Sequence, residues 1–333
     1  MKDVDLTWLD PDDPDEGDLD GAVAVLEATR LLDCPHEPLR TTSSFRAEIR
    51  HGWDGEPPLA AVTREGHEVV GVLAVHLPRR DNRHLGYLEI TVDPDHRRRG
   101  VGRALYEAGV ERLRAEGRSL VLVSGFDLPS VVGFTKAIGV DRASEEVKRS
   151  QHVQRLDRDR LDRELAAAES AAADYELVRM PSTVPDELMP AVVTMVSAIN
   201  DAPTDDLDVE DEAFSAERLR AFEVAQEAYR RRRYQLVARH RSSGELAGHT
   251  VVAVEIEQPW YAHQLDTSVL RAHRGHRLGL LLKIGMLRWL AASEPQLRVL
   301  DTWNAASNDH MIAVNEVLGY EVVATAAAYQ AHL

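Results

Sequence analysis

The pattern of apolar and polar positions divides the chain into two runs of similar elements. In the first, Ala60–Thr63 and Val69–Leu77 are β-branched apolar stretches around Gly66, which predicts a hairpin. Leu88–Val92 alternates, with Leu88, Ile90 and Val92 on one face and Glu89 and Thr91 on the other, as a half-buried strand does. Gly102–Glu116 carries Leu105, Val110 and Leu113 at helical spacing and ends at Gly117. Leu120–Val123 predicts a short buried strand, and Pro129–Ile138 a helix stopped by Gly139.

The second run follows the same order. Tyr175–Met180 predicts a strand, Pro185–Asn200 a helix, and Ala216–Arg233 a helix whose basic end complements the negative end of the helix dipole. Gln235–Arg239 and Ala247–Ile256 predict strands around a Ser-Ser-Gly turn. Leu265–Leu270 then reads as a strand, Leu278–Ala292 as a helix, Leu297–Thr302 as a strand and Asn308–Leu318 as a helix. Between the runs, residues 157–173 are charged and then alanine-rich, which predicts an exposed helical linker. The expected organisation is therefore one domain over 1–156, a linker over 157–173 and a second domain over 174–333.

The two runs align residue by residue. Val92 corresponds to Val269, Arg97 to Arg274 and Gly102 to Gly279, each at an offset of 177, and Gly139 corresponds to Gly319 at an offset of 180. A length of 333 residues favours two domains on size alone, and the repeat says that they are copies of one fold.

Composition narrows the function. The net charge, 39 − 56 = −17, excludes a chain that coats nucleic acid or an anionic membrane, since both need a positive surface. Only four lysines, Lys2, Lys136, Lys148 and Lys283, stand among the basic residues, a bias that reads as genomic rather than chemical. Cys34 is the single cysteine, so no intrachain disulfide and no multi-cysteine zinc site is possible, and no metal is expected. The N-terminal MKDVDLTWLDPDDPDEGD has no basic region followed by an apolar core, and no apolar run approaches the roughly 20 residues of a membrane span. A cytoplasmic location is expected.

In both repeats a strand leads through a basic, glycine-containing turn into a helix. Free backbone N–H groups and the positive helix end then converge on one point, which suits a phosphate or pyrophosphate. Two familiar phosphate loops are excluded: a Walker A loop needs Gly-Lys-Ser/Thr, which is absent, and a dinucleotide fingerprint needs a third glycine where Leu105 stands.

The run Val92-x-Pro94-x-x-Arg97-x-x-Gly100-x-Gly102 resembles the acetyl-CoA-binding motif of the GNAT acyltransferase superfamily. In the second repeat, Asn308-x-x-Met311-Ile312-x-Val314-Asn315-Glu316-x-Leu318-Gly319-Tyr320 resembles that family's following motif. The tandem layout is similar to that of actinobacterial two-domain members of the mycothiol synthase type. The resemblance implies two tandem α/β folds, each a mixed, splayed sheet flanked by helices, with acetyl-CoA as acyl donor and a small-molecule amine as acceptor.

It also implies roles for residues. The pyrophosphate would lie on Arg97, Arg98, Arg99, Gly100, Val101, Gly102 and Arg103, or on Arg274, Gly275, His276, Arg277, Leu278, Gly279 and Leu280. Backbone at Val92 or Val269 would hold the pantetheine arm, and Asn308 would hydrogen-bond it unless it only caps its helix. The family's usual tyrosine acid on the last helix is replaced by Thr135 in one repeat and Asn315 in the other. An amide can orient the sulfur but cannot protonate it. Arg277 stands where the first repeat has Gly100, so it must keep φ negative or accept strain.

Candidate bases are Asp266 and Glu89, each three residues before the aligned valine, with Glu255 and Glu257 as rivals on the preceding strand. His263 reads as structural or exposed, and the acidic loop over 201–212 as a soluble loop or as the lining of an acceptor cleft that attracts a cationic amine. Because its last helix keeps its motif, the C-terminal repeat is the expected catalytic half. Two alternatives stay open: chemistry in the N-terminal repeat, or a non-catalytic acyl-CoA-binding regulatory module.

Overall fold

The computed structural model describes residues 5–333, so the first four residues of the acidic N-terminal segment and Lys2 lie outside it. In chain order the elements of the first half are β1 (Leu6–Trp8), α1 (Glu16–Asp33), α2 (Thr42–His51), β2 (Leu59–Glu65), β3 (Glu68–His76), β4 (Leu85–Val92), α3 (Val101–Ala115), β5 (Leu120–Phe126), α4 (Pro129–Ile138) and β6 (Asp141–His152). The second half continues with α5 (Arg158–Ala171), β7 (Tyr175–Met180), α6 (Met189–Val196), α7 (Ala216–Ala228), β8 (Arg231–His240), β9 (Leu246–Glu255), β10 (Tyr261–Val269), α8 (Leu278–Ser293), β11 (Val299–Ala305), α9 (Asp309–Val317) and β12 (Glu321–His332).

Two helices precede the first expected strand. Helix α1 starts where the Asp15 carboxylate accepts from the Asp18 N–H, and α2 where Thr41 and Ser44 form a reciprocal capping box. Those cap residues are a sequence signal that locates both starts. The arginine cluster at 230–233 is not a helix end: α7 stops at Ala228, Arg230 turns the chain with φ 57°, and Arg231–Arg233 open strand β8.

The chain forms two compact units, and neither is continuous in sequence. One holds the residues up to Glu146 together with Thr204–Asp211 and Ala324–Leu333, and the other holds Val147–Pro203 and Glu212–Val323. Strands of the first unit run in the order β1-β2-β3-β4-β5-β12, and those of the second in the order β7-β8-β9-β10-β11-β6. β1-β2-β3-β4, β5-β12 and β7-β8-β9-β10 pair antiparallel, whereas β4 with β5 and β10 with β11 are parallel. The closing strand of the first unit is therefore the last strand of the chain: Ala326 faces Phe126 and His332 faces Leu120 in an unbroken antiparallel ladder.

In the first unit α3 covers one sheet face, burying Leu105 and Leu113 with Leu73, Val75, Leu88, Val121, Val123, Ala327 and Tyr329. Opposite, α1 and α2 bury Leu19, Phe45 and Ile49 with Val62 and Val72. In the second unit α8 is buried nearly all round, through Leu278, Leu280, Leu281, Leu282, Ile284, Met286, Leu287 and Leu290. A helix this apolar must be covered on both sides. The cover is α5, whose Leu165 and Ala168 belong to the same core. The segment expected as an exposed linker is thus a packed helix, with an alanine face that fits it against α8.

The acidic segment also packs. Leu207 and Val209 lie against Leu85, Leu120 and Leu122 in the first unit. Asn82 exchanges hydrogen bonds with Glu210 at 2.7 and 2.8 Å, and the Asp208 N–H donates to Gln330 at 3.0 Å. Two apolar residues set between acidic ones are enough to seat the strap on a sheet face.

Candidate functional site

Both repeats build the same turn from the same contacts. The Arg97 Nε donates to the Val92 carbonyl at 3.2 Å, and the Arg274 Nε donates to the Val269 carbonyl at 3.2 Å. Each guanidinium then reaches a carboxylate at the end of a preceding helical segment, Asp33 for Arg97 at 2.6 Å and Asp201 for Arg274. Hydrogen bonds from Arg271 and Arg274 hold the Asp201 carboxyl below its ordinary range. These two arginines fold the strand end back toward the helix, which positions the amides that follow.

The two turns adopt left-handed backbone at the same two places, with the glycine at opposite ones. Arg98 and Gly100 have φ of 64° and 92°, and the aligned Gly275 and Arg277 have φ of 88° and 55°. Arg277 thus accepts the strain rather than a negative φ, at a cost of about 1 kcal/mol, and its ion pair with Glu164 of α5 at 2.7 Å holds it there. Helices α3 and α8 start without a side-chain cap, so the first-turn amides at Val101, Gly102 and Arg103, and at Leu278, Gly279 and Leu280, face outward with the positive end of the dipole. Arg98 is exposed; Arg99 pairs with Glu65 at 3.5 Å and Arg103 donates to the Ala137 carbonyl at 2.7 Å. His276 lies 3.4 Å from the Ala171 carbonyl.

Beyond each turn the parallel strands part. β4 and β5 pair from Leu85↔Leu120 to Leu88↔Val123, which leaves Glu89–Val92 without a partner on that side. β10 and β11 pair only from Tyr261↔Val299 to His263↔Asp301, so Gln264–Val269 has no partner on the β11 side, while on its other side it stays paired with β9 through a bulge between Gln264 and Thr267. The free edge of the second wedge is the longer one, and it is also more open at its mouth. A Cβ built on Gly102 meets Phe134 at 3.3 Å and Val92 at 3.5 Å, whereas one built on Gly279 meets nothing within 4 Å.

The first wedge holds an acid–base pair. Glu89 is exposed on β4, 3.4 Å from His76 Nε2. Burial alone would raise its carboxyl, but the His76 hydrogen bond and the charges of His76 and Arg40 outweigh burial and keep it below the usual range. Beside it Tyr87 and Ser124 share a hydrogen bond. In the second wedge Asp266 is exposed on β10, yet surrounding protein desolvates the carboxyl and pushes it above the usual carboxylate range. Glu257 is exposed and paired with Arg230 at 3.1 Å.

Two asparagines occupy structural positions. Asn308 caps α9, its Oδ1 accepting the Met311 N–H at 3.2 Å. Asn315 has no exposed surface; its Oδ1 accepts from Lys283 Nζ at 2.6 Å and its Nδ2 donates to Asn304 at 2.8 Å. Burial pushes the Lys283 ammonium down to about 7. The native state therefore holds this proton less tightly than the unfolded chain, where a lysine titrates near 10.4, and stability rises with pH between those values. Lys283→Met is expected to raise the melting temperature most at pH 7 and below, with the gain over wild type shrinking as pH approaches 10; parallel thermal melts at both pH values check this.

Sequence reasoning missed a cluster on the other face of the second sheet. Lys148 of β6 and Asp301 of β11, 1% and 3% exposed, form an ion pair at 2.5 Å. Lys148 Nζ also donates to Tyr261 Oη at 3.1 Å, and Tyr261 donates to the same Asp301 oxygen. The other Asp301 oxygen lies 3.3 Å from His263 Nδ1, and His263 Nε2 lies 2.9 Å from Glu255, which also accepts from Arg231 at 2.7 Å. Burial works to raise Asp301, but the hydrogen bond and charge of His263 and those of Lys148 outweigh it, to about 2. Glu255 is likewise held low by His263 and Arg231 against its burial. The six groups come from five strands, so no local spacing announces them.

Two splayed α/β units with uncapped helix starts define a duplicated acyl-CoA-type fold, and comparison with known proteins identifies it. Residues 25–134 match the acetyltransferase (GNAT) family. A stretch of 126 residues is 36% identical to the mycothiol acetyltransferase of Clavibacter sepedonicus, covering 38% of this chain and 34% of that protein. The counterpart in Clavibacter michiganensis subsp. michiganensis is 35% identical over 126 residues, 38% and 33% of the two chains. The chain thus spans about a third of the length of these curated relatives. The structure of a tandem GNAT protein from the clavulanic acid biosynthesis pathway superposes with a TM-score of 0.81 at 26% identity, over 99% of this chain and 98% of that one. A GCN5-related N-acetyltransferase from Sphaerobacter thermophilus shares the fold at a TM-score of 0.66 and 14% identity, over 100% and 96%. Among the described residues, no helix is long and apolar enough to cross a membrane.

Proposed function

We propose that this protein is a cytoplasmic N-acetyltransferase that moves acetyl from acetyl-CoA to an amine of a small molecule, with the chemistry in the C-terminal unit. The observation that carries the placement is the open space beside Gly279, together with the long edge of β10 left free on the β11 side. Acetyl-CoA supplies the activated acyl group. The amides of Gly275–Leu280 suit its pyrophosphate, and the edge of Gln264–Val269 left free on the β11 side suits its arm as an added strand. Asp266, with its carboxyl raised, is placed to take the proton of an acceptor ammonium. The mycothiol acetyltransferases support an amine acceptor, and the net charge of −17 speaks against a nucleic-acid one.

A second reading puts the chemistry in the N-terminal unit. The Glu89–His76 pair and the family match over residues 25–134 favour it. Gly279→Trp fills the open space of the C-terminal unit, and Glu89→Gln neutralises the other wedge. The expected result is that Gly279→Trp lowers thiol release over an amine panel at least 100-fold while Glu89→Gln leaves it within a few-fold. The reverse pattern assigns catalysis to the N-terminal unit, and calorimetric CoA binding without turnover on any amine makes the protein a binding module.

A further inference from the structure

The apex of the C-terminal wedge is occupied by a charged ring. β10 and β11 are last joined at His263↔Asp301, and from there the β11 side of β10 is free to Val269, where the turn into the uncapped start of α8 begins. Six residues at about 3.3 Å each span about 20 Å, so an extended arm anchored at the turn reaches back to this rung. An acyl thioester delivered along that edge has its sulfur end nearest His263.

Aminolysis of a thioester expels a thiolate, whose conjugate acid has a pKa near 8.5, and expulsion is eased by a nearby proton donor. The last helix offers none, because Asn315 is an amide buried among Lys283 and Asn304. His263 is different. Both ring nitrogens lie against carboxylate oxygens, Nδ1 at 3.3 Å from Asp301 and Nε2 at 2.9 Å from Glu255. A carboxylate accepts and does not donate, so both contacts are satisfied only by an imidazolium. The ring is not sealed in, for 21% of its side chain is exposed.

We propose that His263 is the general acid of the C-terminal unit, and that Asp301, Glu255, Lys148 and Tyr261 are positioning residues that keep it charged and fixed at the apex of the wedge. This rests on acetyl transfer taking place in that unit. In the step, the acceptor nitrogen bonds to the acyl carbon, the carbon–sulfur bond breaks, and the Nε2 proton passes to the departing sulfur. The proton released by the acceptor nitrogen passes to Asp266 and from there to water, and water returns one to His263. The neutral ring would face Glu255 with a lone pair, and that repulsion drives recharging. Around the ring stand Asp301 from β11, Glu255 from β9, Arg231 from β8, Lys148 from β6 and Tyr261 from β10. Desolvation works to lower the ring, but the two carboxylates outweigh it and raise it above its ordinary value.

NMR titration of the His263 ring in the wild-type protein, without any ligand, is expected to give a midpoint above 6.5; a midpoint below that overturns the charge assignment. In turnover, kcat should fall on the alkaline side as His263 loses its proton. His263→Gln is expected to lower kcat about 100-fold and to abolish that limb, with KM for acetyl-CoA changed only a few-fold. Asp301→Asn should move the limb to lower pH, and Glu255→Gln, nearer the surface, should do the same if Asp301→Asn fails to fold. A purely structural His263 would lower stability and leave the limb where it is. Wild-type turnover with the limb unmoved in His263→Gln overturns this assignment alone, whereas no thiol release by wild type on any amine overturns the acetyltransferase reading as well.

Discussion

Deleting Ala324–Leu333 is expected to abolish cooperative folding of the N-terminal unit, although the deletion removes only the far end of the chain. The missing strand supplies a seven-rung ladder against β5, from Ala326↔Phe126 to His332↔Leu120. It also supplies Ala327 and Tyr329, 1% and 5% exposed, to the core beneath α3. Losing a buried aromatic of this kind costs about 3–5 kcal/mol by itself, and a domain is stable by only about 5–15 kcal/mol. Without the strand, Val121 and Val123 lose their cover and β5 becomes an open edge, which invites association. Amide hydrogen exchange followed by mass spectrometry is the direct measurement, with protection lost in β4 and β5 first. Protection in β5 equal to that of the full chain would show that β12 is dispensable.

Lys148→Met is expected to destabilise the C-terminal unit by about 3–5 kcal/mol, because it strands the Asp301 carboxylate in a site with almost no access to water. The wild-type pair is 1% and 3% exposed, and Tyr261 shares the same carboxylate oxygen. Replacing both charges, as in Lys148→Met with Asp301→Leu, should recover part of the loss, since the stranded carboxylate is gone while His263 keeps Glu255 as its partner. The pH profile carries the same logic. Asp301 is held at about 2, below its ordinary 3.8, so its stabilising contribution is full above pH 4 and is lost as pH falls toward 2. In Lys148→Met that loss should begin at higher pH. Urea titrations of wild type, single and double variants across pH 2–7 test both claims, and a double variant no more stable than the single one would rule out the stranded-charge account.

Much of the fold is legible because the repeat is written in backbone-determining residues. The 177-residue offset predicts that Arg97 and Arg274 do the same work, and both donate to the carbonyl five residues back at 3.2 Å. The strands on either side of those turns follow from period-two alternation, and α3 from its one-sided apolar stripe. What the sequence hides is of two kinds. The alanine-rich β12 does not alternate and carries no signal of which edge it joins, so the exchange of closing strands leaves no local mark. The His263 cluster is dispersed over positions 148, 231, 255, 261, 263 and 301; Glu255 alone stands out as a candidate base, Arg231 reads as part of a helix end, and nothing in the spacing joins them. Lysine scarcity was the one available signal. Of four lysines in the chain, Lys148 and Lys283 are both buried, where arginine's broad guanidinium is harder to fit and a compact, strippable ammonium suits a single polar pocket.

The exchange of closing strands also sets a timetable. Ribosomes extend a chain at roughly 5–20 residues per second, and 200 residues separate Phe126 from its partner Ala326. The N-terminal half therefore waits on the order of 10–40 s after β5 is made before the strand that completes it is synthesised. During that interval it exists as an unfinished sheet with a vacant docking edge, open to a neighbouring nascent chain or to a chaperone. A duplicated protein wired in this way cannot mature one half at a time, and its yield in the cell depends on how well that edge is guarded until the final residues arrive.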